Sequence, residues 1–205
     1  VCGDFDRTRI VDLAKSLAEQ SGPAEPYAFA TPEWGKKREE KLTLAERNQT
    51  HLLWVFPVCG TSGADTPGLE LLNSVLAGQG GLLFRDLRDK ESLGYSVTSM
   101  LWQSVNTGFM AFYIGTEPEK AAKALEGFGR VAAGIRGEAL PVAELSRAKN
   151  LLWGDYQRER QRLGARSSEA AQELVHGFGT EHKREINEKA VTPVSNTPLA
   201  GESQR

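Results

Sequence analysis

The chain has 205 residues, 40% of them hydrophobic and 25% charged, the balance of a globular domain and not of a disordered or collagen-like chain. Lys and Arg total 25 against 27 Asp and Glu, a formal net charge of -2, so no bulk field draws nucleic acid or anionic lipid. No stretch approaches the roughly 18 to 20 apolar residues of a membrane span. The expected partners therefore include neither nucleic acid nor membrane, and recognition must rest on shape. Val1 rather than Met opens the chain, which reads as a processed product or a fragment. The two cysteines, Cys2 and Cys59, lack C-x-x-C spacing and read as free core thiols.

In chain order, Val1 and Cys2 read as the end of a strand, and Gly3-Asp4-Phe5-Asp6 as a turn. Ile10, Leu13, Ala14, Leu17 and Ala18 then recur at helical spacing, with Asp6 near the N-cap and Gly22-Pro23 as the stop. Pro23, Pro26, Pro32 and the mixed charge run from Lys36 to Lys41 mark a solvated linker. Thr50 to Cys59 is apolar and β-prone and reads as a buried strand, with Pro57 predicting an edge or a bulge. Thr66-Pro67 opens a helix through Leu69, Leu72, Val75 and Leu76 that Gly78 stops, and Leu83, Phe84 and Leu87 predict a second short helix.

Tyr95 to Trp102 and Phe109 to Thr116 predict an antiparallel hairpin. Thr116 and Glu119 form a capping-box pattern ahead of a long helix through Ala121, Leu125, Phe128, Ala132 and Ile135. A further helix carries Leu145, Ala148, Leu152, Tyr156 and Leu163, and Ser167 or Ser168 is the expected cap of a third, ending near Gly177. The expected organisation is a strand end and helix over residues 1–22, a linker over 23–46, an α+β domain over 47–185 and a loosely ordered tail over 186–205. The fold class is α+β, with a largely antiparallel sheet and helices packed on one face.

The histidines His51, His176 and His182 form no H-E-x-x-H or H-x-x-E-H pair. His182 and Glu185 supply half of the second motif, but Ile186 stands at the next position, and zinc needs at least three converging protein ligands. No metal site is expected in this chain. Gly78-Gln79-Gly80-Gly81 lacks the Gly-Lys-Ser/Thr ending of a phosphate loop and reads as a helix stop with a tight connection. Arg88 and Tyr95 are the remaining pair with useful chemistry. A guanidinium offers fixed donors to peptide carbonyls, and a phenol offers one donor to a developing oxyanion. Spacing alone favours a structural role, with Arg88 complementing a helix C-terminus and Tyr95 half-buried in a strand.

The run from Gly78 to Val97, with Arg88, Lys90, Leu93, Tyr95 and Val97, resembles the glycine-rich segment and L-R-x-K-x-x-L-x-Y-x-V pattern in the C-terminal domain of pitrilysin/insulinase-family zinc peptidases. Gly3 to Asp6, Thr66 to Ala77 and Glu144 to Lys149 are similar to further parts of that domain, so the resemblance covers about Val1 to Val175. Leu82 departs from it where family members often carry a basic residue, and so does the small polar tail after Pro193.

The resemblance implies the fold of one half of pitrilysin or mitochondrial processing peptidase, in which two bowl-like halves enclose a peptide. It implies a non-catalytic C-terminal domain that closes the chamber of a zinc metalloendopeptidase. The zinc then lies in an N-terminal half or partner subunit, with no cofactor here, and Arg88 and Tyr95 contact peptide substrate, Tyr95 stabilising the oxyanion. A scaffold or assembly subunit with the same fold and no proteolysis is the alternative. An open sheet edge would invite pairing with another chain, a second copy included.

Overall fold

The computed structural model describes residues 2–22, 30, 33–36, 39–43, 48–137 and 139–192. Strands β1 (Thr50–Val58), β2 (Gly94–Gln103) and β3 (Gly108–Thr116) form an antiparallel sheet in the order β1-β3-β2. Strand β1 is not the buried strand expected but an edge, with Leu53, Trp54 and Val55 exposed, and Pro57 lies there because an edge tolerates its missing amide donor. The register aligns Leu52, Ile114 and Val97, then Phe56, Met110 and Leu101, in rows on one face. That face is what the helices cover.

Helix α1 (Arg7–Ser21) precedes the sheet, α2 (Thr66–Leu76) follows β1, and α3 (Ala121–Gly137) follows β3. The fully buried Phe128 of α3 meets Phe112 edge-on at 5.7 Å and lies 6.4 Å from Trp54, so α3 seals the β1 and β3 side. Leu76 of α2 and Leu83 and Leu87 of the following turn complete the same core. Helices α4 (Val142–Glu159) and α6 (His182–Val191) back onto α2 through a second cluster of Leu71, Val75, Ala148 and Ala190. Helix α5 (Leu163–Val175) lies between them in sequence. The result is the expected α+β layer, with an antiparallel sheet and helices on one face.

Several local expectations change. Thr116 does not cap α3; its hydroxyl donates to the Leu93 carbonyl, and a 3-10 turn, Pro118–Lys120, leads into the helix instead. The apolar face running through Leu163 is divided between α4 and α5, so Ser167 and Ser168 lie inside α5 rather than at its start. The apolar stripe of α1 buries nothing, leaving Leu13 and Leu17 exposed, while Asp6 does cap that helix by accepting from the Arg9 amide at 3.2 Å. Cys2 and Cys59 are free but half-buried rather than core, and Cys2 is outside any strand.

Chain beyond Ile186 is helical through Val191, with Ile186, Asn187 and Ala190 buried. The start of α6 is satisfied from α5, because Glu173 accepts from the Lys183 amide at 2.5 Å. A cap supplied by a residue ten positions away leaves no local signature, so the sequence pattern does not announce this helix. Val1, the linker prolines Pro23, Pro26 and Pro32, Lys37 and Arg38 of the charge run, and the tail from Pro193 onward lie outside the described residues.

One polar knot ties the helices to the glycine-rich connection. Arg85 donates to Glu144 at 2.6 Å, while Arg147 reaches the same carboxylate at 3.4 Å and donates to the Val75 carbonyl at 3.2 Å. The Arg85 hydrogen bond, reinforced by both positive charges and opposed by burial, holds the Glu144 carboxyl below its ordinary value of 4.5. A lowered carboxyl stabilises the fold above that ordinary value, and the contribution disappears as pH falls through the lowered one. Glu144→Gln is therefore expected to cost about 1 kcal/mol at pH 7. The difference from the parent should close in acid, read as two melting curves converging below pH 4.5; a gap independent of pH contradicts the ion pair. A Cβ at Gly81 would lie 2.2 Å from the Leu76 carbonyl oxygen. Gly81→Ala is accordingly expected to destabilise by about 1–3 kcal/mol in denaturant titration.

Candidate functional site

Helix α2 ends at Leu76, and Gly78 then takes a left-handed φ of 74° that turns the chain back on itself. The Gly81 amide donates to the Gly78 carbonyl at 3.0 Å, so this connection spends a donor on its own closure instead of offering it to an anion. Leu82 is half-buried and packs against both apolar clusters, which gives it a packing role at the position where the resembling family often has a basic side chain.

The expected second short helix is a π-helical turn, Phe84–Asp89. Leu83 and Leu87 are fully buried and anchor it, while Phe84, packed against the core, and Arg88 are half-buried. The turn closes through two amides, Ser92 to the Arg88 carbonyl and Leu93 to the Leu87 carbonyl, both at 2.8 Å. Ser92 carries a left-handed φ of 50° to make this reversal, a conformation that costs a non-glycine residue on the order of 1 kcal/mol. Buried Leu93 and the Thr116 hydroxyl on its carbonyl then fix where β2 begins.

At that start the ladder holds one residue too many. Gly94 pairs with Thr116 and Ser96 with Gly115, adjacent positions on β3, and Tyr95 is left between them as a β-bulge. A Cβ at Gly94 would approach the Gly115 carbonyl oxygen to 2.3 Å, so glycine permits the close pairing before the bulge. Tyr95 is 79% exposed instead of half-buried in the strand. The Arg88 guanidinium carbon lies 4.5 Å from the ring centroids of both Phe84 and Tyr95, and its Nη1 donates to the Tyr95 carbonyl at 3.3 Å. Each cation–π contact at such an exposed site is worth about 0.5–1 kcal/mol. The stack fixes the guanidinium plane, and the Tyr95 hydroxyl has no hydrogen-bond partner among the described residues.

Beside Tyr95 lies a cleft of about 270 Å³, bordered by Ser96, His51, Tyr113, Gly115 and Lys120. His51 Nδ1 and the Tyr113 hydroxyl share a hydrogen bond at 2.8 Å across neighbouring strands. From sequence alone His51 is a candidate only as a zinc ligand, and Tyr113 carries no signal. Strand alternation carries the missing signal, since His51 pairs with Gly115 and Tyr113 lies two residues earlier on the same sheet face.

The other histidine of interest is structural. His182 stacks on Phe178 at 4.0 Å, and its Nε2 lies 3.2 Å from the Thr61 carbonyl. Among the described residues no group of three or more His, Cys, Asp or Glu could hold a metal ion. A zinc ion therefore does not fit the described side chains. Arg88 and Tyr95, seven residues apart in sequence, are brought into direct contact.

Residues 1–152 match the family model described as the peptidase M16 inactive domain. An uncharacterized zinc protease of Mycobacterium leprae is 32% identical over 118 residues, covering 55% of this chain and 26% of the relative. The uncharacterized zinc protease YmxG of Bacillus subtilis is 26% identical over 156 residues, covering 75% and 37%. A protease from Helicobacter pylori superposes with a TM-score of 0.75 at 18% identity, over 94% of this chain and 48% of that one. The M16 inactive domain from Pseudomonas fluorescens gives 0.65 at 19% identity, over 71% and 35%. The chain thus spans less than half the length of these relatives. With the family model matched over residues 1–152 and the α+β layer described above, the chain belongs to the M16 peptidase inactive-domain family, within the pitrilysin/insulinase group.

Proposed function

We propose that this domain closes the peptide chamber of a zinc metalloendopeptidase whose metal is held by an N-terminal half or a partner subunit. It contacts the bound peptide through Arg88 and Tyr95. The observation that carries this reading is the bulge: β2 pairs Gly94 and Ser96 with adjacent residues of β3, and the extra residue presents an exposed phenol against a stacked guanidinium. Such an arrangement costs ladder hydrogen bonding and supplies no core packing, which is the economy of a functional site and not of a structural one.

The chemistry follows from the two groups. Arg88 has its faces against Phe84 and Tyr95, so its N–H edge is held in one plane and can donate to backbone carbonyls of an extended peptide without first being ordered. The Tyr95 hydroxyl can donate to the carbonyl oxygen on which negative charge grows during attack. Both are donors, so both bind the peptide backbone and leave its side chains to be selected elsewhere. The zinc-protease relatives in two bacteria support the activity assigned to the whole protein.

In the full-length protein, Tyr95→Phe is expected to lower kcat about 10²–10³-fold, the usual cost of one oxyanion donor, with zinc content unchanged. Arg88→Lys is expected to raise KM, since an ammonium cannot reproduce the stacked, planar contact. Unaltered turnover in Tyr95→Phe contradicts the role of the phenol. A zinc-free full-length protein with no peptide cleavage assigns the same fold to the scaffold role instead.

A further inference from the structure

One aromatic residue has no use in the solvated linker expected over residues 23–46: Trp34, in the described stretch Glu33-Trp34-Gly35-Lys36. That stretch comes to the far end of the β2–β3 hairpin, where it shares a cleft with Trp102 and Phe109. These two are register partners, and their rings stack at 5.7 Å with 23° between the planes. Met110 and Phe112 belong to the helix-covered core, so Phe109 and its partner Trp102 lie on the opposite face of the sheet.

The cleft has a volume of about 230 Å³, with Glu33 and Trp34 bordering it from the linker and Trp102, Thr107 and Phe109 from the hairpin. The rings border this space without filling it, for Trp34 is 50% and Trp102 53% exposed. Their surface adds little to the core and stays free to meet a ligand. Among the described residues of the lining, Glu33 is the only charged one.

That chemistry selects the occupant. Aromatic faces attract a cation, tryptophan most strongly, and a carboxylate at the same cleft adds an opposite charge. A guanidinium or primary ammonium would bring several N–H donors to a lining whose described side-chain acceptors are Glu33 and Thr107 alone, and each donor left desolvated without a partner costs binding. A quaternary ammonium has no N–H to satisfy and spreads its charge over methyl groups that pack on ring faces. The volume lies below the roughly 300–1,000 Å³ of sites for drug-sized ligands, which suits a compact headgroup.

We propose that Trp34, Trp102 and Phe109 form an aromatic cage, completed by the Glu33 carboxylate, that binds a quaternary ammonium group of the choline type. Neither Arg88 nor Tyr95 borders this cleft, so the cage and the peptide-contact reading stand or fall separately.

The test titrates the 205-residue chain, labelled with nitrogen-15 in its tryptophan indoles, with choline and with its neutral isostere, in which carbon replaces the nitrogen. The Trp34 and Trp102 signals are expected to move saturably, while those of Trp54, beside Phe128, and Trp153, beside Tyr156, stay in place. Choline is expected to bind about tenfold more tightly than the isostere. Glu33→Gln should weaken choline about threefold and leave the isostere unchanged. Trp34→Leu should remove most of the preference for the cation and Trp34→Phe should keep it, in proteins whose circular dichroism matches the parent.

Equal binding of choline and isostere, no saturable shift with either, or a preference that survives Trp34→Leu overturns the proposal. So does tighter binding of N-acetyl-arginine amide than of choline, which gives the cleft to a guanidinium. Sedimentation with phosphatidylcholine vesicles that choline competes away supports the cage with a lipid headgroup as the source of the cation. Choline binding without sedimentation supports it with a free solute.

Discussion

The junction between the π-helical turn and β2 is fixed at both ends, and a single surplus residue lies between the fixed points. On one side Leu93 is buried and its carbonyl is held by Thr116. On the other, Ser96 begins an unbroken ladder with the central strand. Tyr95 has nowhere to go but out of the ladder, and the Arg88 guanidinium meets it there. The stack of half-buried Phe84 and Arg88 on exposed Tyr95 is thus a consequence of register. Removing the buried anchors Leu83 and Leu87 would loosen the turn, and removing the Thr116 contact would free the strand start. Either change would disturb the stack without touching it.

The rest of the domain serves to keep that junction still. Phe128 and its neighbours on α3 cover the sheet from one side, and α2, α4 and α6 interlock through small and branched residues such as Val75, Ala148 and Ala190. The Glu144 carboxylate links the two assemblies, with Arg85 on the turn and Arg147 on α4 as its partners. Because these groups converge beside Gly81, where a Cβ would strike the Leu76 and Ala77 carbonyl oxygens, that glycine is needed for close packing. A phosphate cradle has no place in this connection.

What could be read in advance followed periodicity. The hairpin, the central strand and α3 have repeats long enough to show in composition, and Arg88 with Tyr95 stood out through the family-like pattern around them. Three features were hidden for physical reasons. Helix α6 is capped by Glu173 from another helix, so no local cap announced it. The apolar stripe of α1 looked like a core face, yet no residue of that helix is buried. His51 and Tyr113 meet only because two strands pair in a particular register, information that no short window of sequence contains. The bulge itself was likewise invisible, since it depends on where Leu93 is held and not on Tyr95.

The most direct measurement is the ring resonance of Tyr95 in protein carrying 13Cζ-labelled tyrosine, recorded while an extended peptide is added. Tyr95 is exposed and bulged, whereas Tyr156 is buried with its hydroxyl accepting from Arg160 at 2.8 Å, so one ring reports on the site and the other on the core. A saturable shift of the Tyr95 signal with Tyr156 unmoved, abolished by Arg88→Ala, is the predicted result. Peptide binding that leaves the Tyr95 signal in place would contradict the assignment of substrate contact to the stacked pair.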